Sequence, residues 1–162
     1  MEVFRSLCRQ WPVQIDLFAT SENCHCSIFF SPIRDPQSAG TDAFLQSWDG
    51  LQAYAFLLWS IIPIVLAKLW VSLGTELTLI APYWLQRPWF PDLLQLSLAP
   101  PVVLPDRPDL LFLPRSRLHY QGLHKLQLRA WKLPAVHASC GVLLLGSCSG
   151  FVGSPPIFAH QL

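Results

Sequence analysis

Charged residues are scarce in this sequence. Aspartate, glutamate, lysine and arginine together make up 13% of its 162 residues, against roughly 25% in typical soluble domains. The formal net charge is only +1, so no overall field favours binding to nucleic acid or to an anionic membrane. The composition therefore suits a domain taken from a larger protein, a membrane-associated chain, or a translated remnant that selection no longer keeps soluble.

Signals for export and for covalent cross-linking are also missing. The five cysteines are odd in number and the chain is not small, which argues against a disulfide framework. Residues 1–20 carry four charged side chains and no continuous apolar core, which excludes an ordinary signal peptide. We therefore expect an intracellular chain in a reducing compartment, and the sequence does not specify which one.

The familiar motifs of catalysis and metal binding are missing too. The chain has no phosphate-binding loop, EF-hand or zinc-protease motif. Cys24, His25 and Cys26 alternate too closely to surround a tetrahedral zinc ion, and no matching pair follows nearby. We therefore expect no metal site.

What the sequence does contain is a succession of short apolar runs separated by prolines, glycines and polar turns. Runs that stay apolar at successive positions are typical of parallel strands buried on both faces. Strand-like and helix-like runs alternate along the chain, which predicts an α/β fold with a mostly parallel, Rossmann-like sheet, incomplete and flanked by short helices. The predicted strands are 13–18, 28–30, 53–57, 76–81 and 100–104, and the predicted helices are 42–48, 60–73 and 92–98.

Residues 51–73 admit two interpretations. Their first seventeen residues are uncharged, which comes close to the length of a membrane span. The other interpretation is a strand at 53–57 and then a helix with Ser60 as N-cap, Pro63 in its first turn and Gly74 at its end. The first interpretation predicts a single-pass membrane protein, and the second predicts two elements of the α/β fold.

Two stretches are candidates for contact with nucleic acid, although buried loop aromatics and a solvated terminal helix are their more ordinary interpretations. One is a loop that combines aromatic rings for base stacking with a basic side chain. Its residues are Tyr83, Trp84, Arg87 and Trp89. The other is the segment 106–133, which holds most of the positive charge. Its candidates for phosphate contact are Arg115, Arg117, Lys125, Arg129 and Lys132.

The character of the chain changes at Pro134. Residues 134–162 contain no charged residue and no convincing periodicity. We therefore divide the chain into an α/β module at residues 1–133 and a tail at residues 134–162. We expect the tail to be disordered or to be non-native read-through sequence.

Two stretches resemble motifs of methyltransferases that act on the amino group of DNA adenine. QIDLFATSEN, at residues 14–23, resembles their first motif, D-x-F-x-G, which lines the S-adenosylmethionine pocket. AYAFLLW, at residues 53–59, resembles their fourth motif, [DN]-P-P-[YFW], which holds the adenine amino group and stacks on the flipped base. The resemblance implies vestigial cofactor-binding residues at Asp16, Phe18 and Thr20, and vestigial substrate-binding residues at Phe56, Leu57, Leu58 and Trp59.

A longer resemblance covers roughly residues 3–133 through stretches such as DLFATSEN, GTDAFLQSW, ELTLIAPYW, PWFPDLLQL and PVVLPDRPDLL. In order and spacing they look like the segment after the RNase H domain in polyproteins of DIRS-like, tyrosine-recombinase retroelements. That segment has itself been described as Dam-methyltransferase-like. Members of that family carry two prolines where this chain has Leu57 and Leu58. The resemblance implies that the leucines replaced the prolines in an element copy that has drifted.

The chain departs from the methyltransferase pattern at each group that would act on the target amine. Thr20 stands where a glycine lets the backbone approach the cofactor, and Phe56 stands where an amide or carboxylate would accept a hydrogen bond. Both prolines are replaced. The resemblance therefore implies a catalytically silent fragment of a retroelement pol polyprotein, without cofactor or small-molecule substrate. Its partners would be nucleic acid, bound weakly at most, and the other domains of the parent polyprotein.

Overall fold

The computed structural model describes residues 2–106, 112–113, 118–119 and 126–135. Strands and helices alternate along this part of the chain, as its apolar runs predict. The helices are α1 (Glu2–Gln10), α2 (Ile62–Val71) and α3 (Phe90–Leu96), with 3₁₀ helices at Ala43–Leu45 and Trp59–Ile61. The strands are β1 (Ile15–Asp16), β2 (Ile28–Ser31), β3 (Gly40–Thr41), β4 (Gln52–Phe56), β5 (Glu76–Pro82), β6 (Val102–Val103), β7 (Phe112–Leu113), β8 (Leu118–His119) and β9 (Leu128–Pro134).

Seven of the described strands form one sheet, in the order β3-β2-β1-β4-β5-β9-β6. The pairings from β3 to β5 are all parallel, whereas β9 runs antiparallel to both of its neighbours, β5 and β6. The order 3-2-1-4-5 is that of doubly wound sheets, with the switch in strand order beside β1. The predicted α/β fold with a mostly parallel, Rossmann-like sheet is confirmed.

Apolar residues buried on both faces hold the centre of the sheet together. β4 and β5 pair in parallel register from Gln52 opposite Glu76 to Phe56 opposite Ile80. Between these ends the two strands bury Ala53, Ala55, Leu77 and Leu79 completely. Each leucine buried in this way stabilises the fold by about 1.5–3 kcal/mol relative to an exposed one. This continuous burial explains why the two strands could be predicted from their apolar runs.

The two faces of the sheet are covered by different helices. On one face α2 and α3 pack onto the strands through a set of fully or almost fully buried side chains. This set consists of Ile62, Val65, Leu66, Leu69, Phe90 and Leu93. On the other face, Leu7 of α1 packs in a smaller cluster with Tyr54 and Ile80. The residues that α2 buries follow the helical spacing that the sequence indicates for its inner face.

Residues 51–73 do not form one helix. They contain β4, the 3₁₀ helix Trp59–Ile61 and α2, in the order that the strand-plus-helix interpretation predicts. Pro63 lies in the first turn of α2 as expected, but the N-cap is Ile61, without a side-chain capping bond, and not Ser60. Among the residues that the structure describes, no helix has the length and apolar character that crossing a membrane would need.

The basic segment before Pro134 contains a central strand, and the prediction of a solvated terminal helix is wrong for residues 128–134. β9 inserts between β5 and β6, where most of its side chains are buried. Two cations are accommodated there by partners from β5 and the loop after it. The Lys132 ammonium lies 2.7 Å from a carboxylate oxygen of Glu76, and the Arg129 guanidinium lies on the ring of Tyr83.

Several elements differ in length from the prediction. β1 and β6 have two residues each, fewer than the strands expected at 13–18 and 100–104. The helix expected at 42–48 is a single 3₁₀ turn at Ala43–Leu45. Asp42 is its N-cap, since its carboxylate accepts a hydrogen bond from the Phe44 N–H at 3.0 Å. α1 was not predicted, because its charged residues interrupt any long apolar run.

The sheet extends slightly beyond the predicted end of the module. β9 ends at Pro134, and the N–H of Ala135 donates a hydrogen bond to the Thr75 carbonyl at 2.7 Å. The remainder of the predicted tail, residues 136–162, lies outside the described residues. Three candidates for phosphate contact lie outside them as well, namely Arg115, Arg117 and Lys125.

Candidate functional site

The strands that carry the two methyltransferase-like stretches end at the same edge of the sheet. β1, β4 and β5 are parallel neighbours, so their carboxyl ends point in one direction. Ligands of doubly wound sheets bind in the crevice at this edge. The predicted cofactor residues begin with the last residue of β1, the predicted substrate residues begin with the last residue of β4, and the aromatic and basic loop follows β5.

Asp16 lies at the end of β1, and the backbone that follows already occupies its carboxylate. The residue is only 3% exposed. Oδ2 accepts a hydrogen bond from the His25 N–H at 3.2 Å, and Oδ1 accepts one from the Phe18 N–H at 3.4 Å. Burial raises the pKa of Asp16 to about 6, although the two hydrogen bonds oppose this rise. The carboxylate therefore organises the turn after β1.

Aromatic rings and a half-buried thiol lie near Asp16 on the α1 side of the sheet. His25 stacks on Phe4 with ring centroids 4.7 Å apart and meets Tyr54 edge-on at 5.7 Å. Burial lowers the pKa of His25, whereas burial, assisted by nearby Asp16, raises the pKa of Cys26 to about 12. Such a thiol is not a nucleophile at neutral pH.

Within the described residues, no three His, Cys, Asp or Glu side chains are grouped to hold a metal.

The other two predicted cofactor residues also serve local folding. The Phe18 ring packs against Phe44 and Trp48, with centroids 5.3 and 6.3 Å away, and belongs to the larger core. Thr20 opens the next turn, where its N–H and its hydroxyl both donate to Oδ1 of Asn23, at 2.7 and 3.2 Å. Sequence reasoning thus identified residues that lie at the expected edge, but their side chains bind to the protein itself.

The end of β4 offers no hydrogen-bond acceptor on a side chain. Phe56 is half-buried, Leu57 is 9% exposed and Leu58 is 77% exposed. Trp59 packs edge-to-face on Trp84 at a centroid distance of 4.9 Å. The buried indole N–H of Trp59 has no acceptor among the described residues. The four predicted substrate residues therefore provide apolar surface and one unused donor.

Leu58 has the backbone conformation of a proline. Its φ and ψ are −61° and 128°, and the ring of proline fixes φ near −65°. The Leu58 carbonyl accepts a hydrogen bond from the Ile61 N–H at 3.1 Å, while the Leu58 N–H makes no backbone hydrogen bond within the described residues. This geometry is compatible with proline at position 58.

The loop after β5 and the start of β9 border a cavity of about 630 Å³. Its lining residues in the described part of the chain are Tyr83, Trp84, Leu85, Gln86, Arg87, Gln127 and Arg129. The Arg129 guanidinium lies 3.7 Å from the ring centre of Tyr83, and the Arg87 guanidinium lies 5.1 Å from that of Trp84. Both distances are typical of cation–π contacts. The structure thus brings four of the predicted nucleic-acid candidates together around one cavity.

Two aromatic candidates are held by the protein's own core. Tyr83 lies against Arg129, stacks nearly parallel to Trp131 at 6.1 Å, and meets Phe90 edge-on at 5.0 Å. Trp89 is buried and packs at a tilted angle against Phe90. Stacking on a base would require these rings to leave the core, so they serve to support the loop.

Gln127 also lines the cavity and was not identified from the sequence. Its φ of 46° lies in the left-handed region that residues other than glycine rarely adopt. Its carbonyl accepts a hydrogen bond from the Tyr83 N–H at 3.2 Å. Strained residues of this kind concentrate at functional sites. No sequence pattern marks a left-handed glutamine, so no signal could have identified it.

Along this edge, the protein's own side chains fill the ends of β1 and β4, and the end of β5 borders the cavity. The charged groups among its described lining residues are the guanidinium groups of Arg87 and Arg129. Guanidinium groups next to aromatic rings can hold an anion that has a flat apolar part.

No protein-family model matches the chain, and no curated protein matches it in sequence.

Proposed function

We propose that the chain is a catalytically silent, methyltransferase-like module of a retroelement pol polyprotein that retains weak association with nucleic acid. The observation that carries this proposal is the end of β4. A methyltransferase of the resembled kind accepts hydrogen bonds from its target amine at this place. Phe56, Leu57 and Leu58 have no side-chain acceptor. A target amine would be neither oriented nor polarised here. Orientation of the reacting groups accounts for much of the rate enhancement in such reactions.

Two features of the fold support the methyltransferase part of the proposal. The doubly wound order of β3, β2, β1, β4 and β5 is shared by nucleotide-binding folds. The two motif-like stretches contain β1 and most of β4, which are adjacent and parallel. This adjacency suits a shared site for cofactor and target.

The state of the β1 end supports the silent part of the proposal. The Asp16 carboxylate is buried and accepts two backbone hydrogen bonds, so little of it is left for a cofactor. Thr20 carries a side chain where the motif has glycine, and its hydroxyl is engaged by Asn23. What remains of the S-adenosylmethionine pocket is vestigial. The partners that remain are nucleic acid and the other domains of the polyprotein, and no small-molecule substrate is expected.

Calorimetry with S-adenosylmethionine tests the expected lack of cofactor binding. We expect no binding isotherm at ~100 µM protein, because an affinity weaker than about 1 mM corresponds to less than ~4 kcal/mol of binding free energy. Transfer of a labelled methyl group to adenine in DNA should not exceed that of heat-denatured protein. A clear isotherm, or transfer above the denatured control, would contradict the proposal. If an isotherm appeared, its loss in Asp16→Ala would locate the binding at the end of β1.

The retroelement origin has a separate test in the DNA around the coding sequence. The upstream DNA should encode a reverse transcriptase followed by an RNase H domain, in the order of the resembled polyprotein. Ordinary host exons on both sides of the coding sequence would contradict this origin. They would leave the prediction about S-adenosylmethionine untouched, since that prediction depends on the residues alone.

A further inference from the structure

We propose that the cavity after β5 binds one unpaired nucleotide, with its phosphate on Arg129 and its base against the Trp84–Arg87 pair. This inference rests on the nucleic-acid association in the proposed function and specifies its place and its form. It concerns a site at the end of β5, whose described lining residues lie outside the stretches that resemble the methyltransferase motifs, although Trp59 of the second stretch packs on Trp84. The cavity is lined by Tyr83, Trp84, Leu85, Gln86, Arg87, Gln127 and Arg129.

The charges around the cavity select an anion. Arg87 and Arg129 are the charged residues among its described lining residues, and no described lining residue is acidic. Each guanidinium rests on an aromatic ring, at 3.7 Å for Arg129 and 5.1 Å for Arg87. These contacts restrict the side chains before a ligand arrives, which reduces the entropy lost on binding. Guanidinium groups bind phosphate through paired hydrogen bonds.

Arg129 has a donor for which the described residues provide no acceptor. Its Nε is buried, and its N–H has no acceptor among the described residues. A buried donor without an acceptor costs about 1–3 kcal/mol, so native structures usually supply one. The cavity next to this guanidinium is where a phosphate oxygen could accept from it. The indole N–H of Trp59, which packs on Trp84, is unsatisfied in the same way.

The aromatic surroundings limit the ligand to one base. Tyr83 is packed against Arg129, Trp131 and Phe90, and Trp89 is buried, so neither ring is free to stack on a base. The half-buried Trp84 and the exposed Arg87 next to it remain. Bases in single strands stack on aromatic rings and on arginine planes. One stacking layer accommodates one base and gives no run of stacked bases.

The size and shape of the cavity favour an unpaired nucleotide over a duplex. Its volume of about 630 Å³ lies within the range of sites for small molecules and cofactors, roughly 300–1,000 Å³. A base inside a duplex is stacked on both sides and cannot enter a recess without being unstacked, which costs a few kcal/mol. A single strand presents its bases without this cost.

The test measures binding of fluorescent hexathymidylate to the full chain at low salt, with a hairpin duplex of equal charge and inorganic phosphate as competitors. We expect the single strand to bind at least ~10-fold more tightly than the duplex. Arg87→Gln and Trp84→Ala should each weaken binding roughly fivefold or more, because base stacking on such groups contributes that much. Arg34→Gln removes the same charge from an exposed loop residue outside the cavity lining, so binding should stay within about twofold, as expected for a charge that makes no phosphate contact.

Salt dependence separates the phosphate contact from stacking. The logarithm of the affinity falls as the logarithm of the salt concentration rises. Loss of one phosphate contact should make this slope less steep by ~0.7 for a single strand. Arg129→Gln should show this reduction, and Trp84→Ala should keep the wild-type slope. Arg129→Lys retains the charge and should keep the wild-type slope too. A smaller slope in Arg129→Gln alone would then result from the lost charge and not from poor folding.

The outcomes distinguish this inference from the proposed function. If the wild-type chain binds hexathymidylate and Arg87→Gln and Arg129→Gln behave like Arg34→Gln, the cavity is not the site, although the association stands. If inorganic phosphate displaces the fluorescent oligonucleotide as well as unlabelled hexathymidylate does, the site is a simple anion site and the nucleotide assignment is wrong. If no oligonucleotide binds, both the cavity site and the association fail, while the absence of methyl transfer is unaffected.

Discussion

The buried carboxyl group of Asp16 opposes folding once it ionises. Burial raises the pKa of Asp16 from 3.8 to about 6 in the folded chain. Because the folded value lies above the unfolded one, the favourable contribution of Asp16 is fully present below about pH 4 and is lost as the pH rises through about 6. His25 acts in the opposite sense. Because burial lowers its pKa from 6.5, its contribution to stability is present above pH 6.5 and is lost as the pH falls through the lowered pKa.

Asp16→Asn should therefore stabilise the chain at pH 7.5 and bring no gain near pH 4. A difference of about 2 pH units between the two pKa values corresponds to ~3 kcal/mol. Loss of one of the two backbone hydrogen bonds offsets about 1 kcal/mol of this, so we expect a net gain of roughly 1–2 kcal/mol. Urea unfolding at both pH values measures it.

Asp35→Asn is the matched control for Asp16→Asn. Asp35 accepts hydrogen bonds from the N–H groups of Gln37 and Ser21, and these bonds lower its pKa. A lowered pKa contributes stability that is present at neutral pH and is lost in acid. Asp35→Asn should therefore destabilise the chain at pH 7.5. The same sign of change in both variants would contradict the assignment of Asp16.

Leu58→Pro should stabilise the chain, whereas Leu57→Pro should not. Leu58 already has φ of −61° and is 77% exposed, so proline restricts the unfolded chain and contributes ~0.4–1 kcal/mol. Leu57 is 9% exposed, so its replacement removes packed atoms and should cost about 1–2 kcal/mol. Melting temperature and soluble yield measure both effects. If Leu58→Pro lost ~3 kcal/mol, as proline does within a helix, residue 58 would be helical and our description of this stretch would be wrong.

At the scale of elements, β4, β5 and α2 could be predicted from the sequence and β9 could not. β4 and β5 are mostly apolar and are buried at successive positions, and α2 repeats its buried residues at helical spacing. β9 contains Arg129 and Lys132, which interrupt its apolar run. Their charges are met by Tyr83 and Glu76, which lie far away in sequence. When a strand is stabilised by residues distant in sequence, its own residues do not identify it as a strand. The charges in this segment, taken alone, indicated a solvent-exposed helix.

Glu76→Gln should destabilise the junction of β5 and β9 more than Lys132→Met. The Lys132 ammonium lies 2.7 Å from the Glu76 carboxylate, with side chains 9% and 47% exposed respectively. Removal of the carboxylate leaves a buried ammonium without its partner. Because Glu76 is half-exposed, screening limits the loss to about 1 kcal/mol. Lys132→Met removes the charge and keeps the packing, so its effect should be near zero or stabilising. Urea unfolding of both variants and of the double variant measures the coupling.

At the scale of the whole molecule, the order of elements was predictable and the composition of the cavity only in part. Tyr83, Trp84 and Arg87 are close in sequence, so their shared loop could be identified directly. Arg129 reaches the same cavity only because β9 pairs antiparallel with β5. The sequence likewise placed Asp16 at the correct edge but did not show that the turn containing His25 would cover it. Contacts along the chain were predictable, and contacts across the sheet were not.

The position of β9 predicts where the chain can be shortened. A chain that ends after Ala135 retains all seven strands of the sheet and should remain soluble and unfold cooperatively in urea. A chain that ends after Asp106 lacks β9 and leaves β5 and β6 without the strand between them. This shorter chain should aggregate, because an unpaired apolar edge promotes pairing between molecules. Equal solubility of the two chains would contradict the central role of β9.

Synthesis on the ribosome completes the strands in a different order from their order in the sheet. β5 emerges roughly 45 residues before β9 begins, which amounts to roughly 2–9 s at 5–20 residues per second. During this interval Leu77 and Leu79, which become buried in the core, lie on a strand that can pair with β4 but whose second partner, β9, has not been made. Chaperones that bind nascent apolar segments would compete with self-association at this stage. The amount of folded protein in a cell would then depend on chaperone supply and translation speed as well as on the stability of the finished fold.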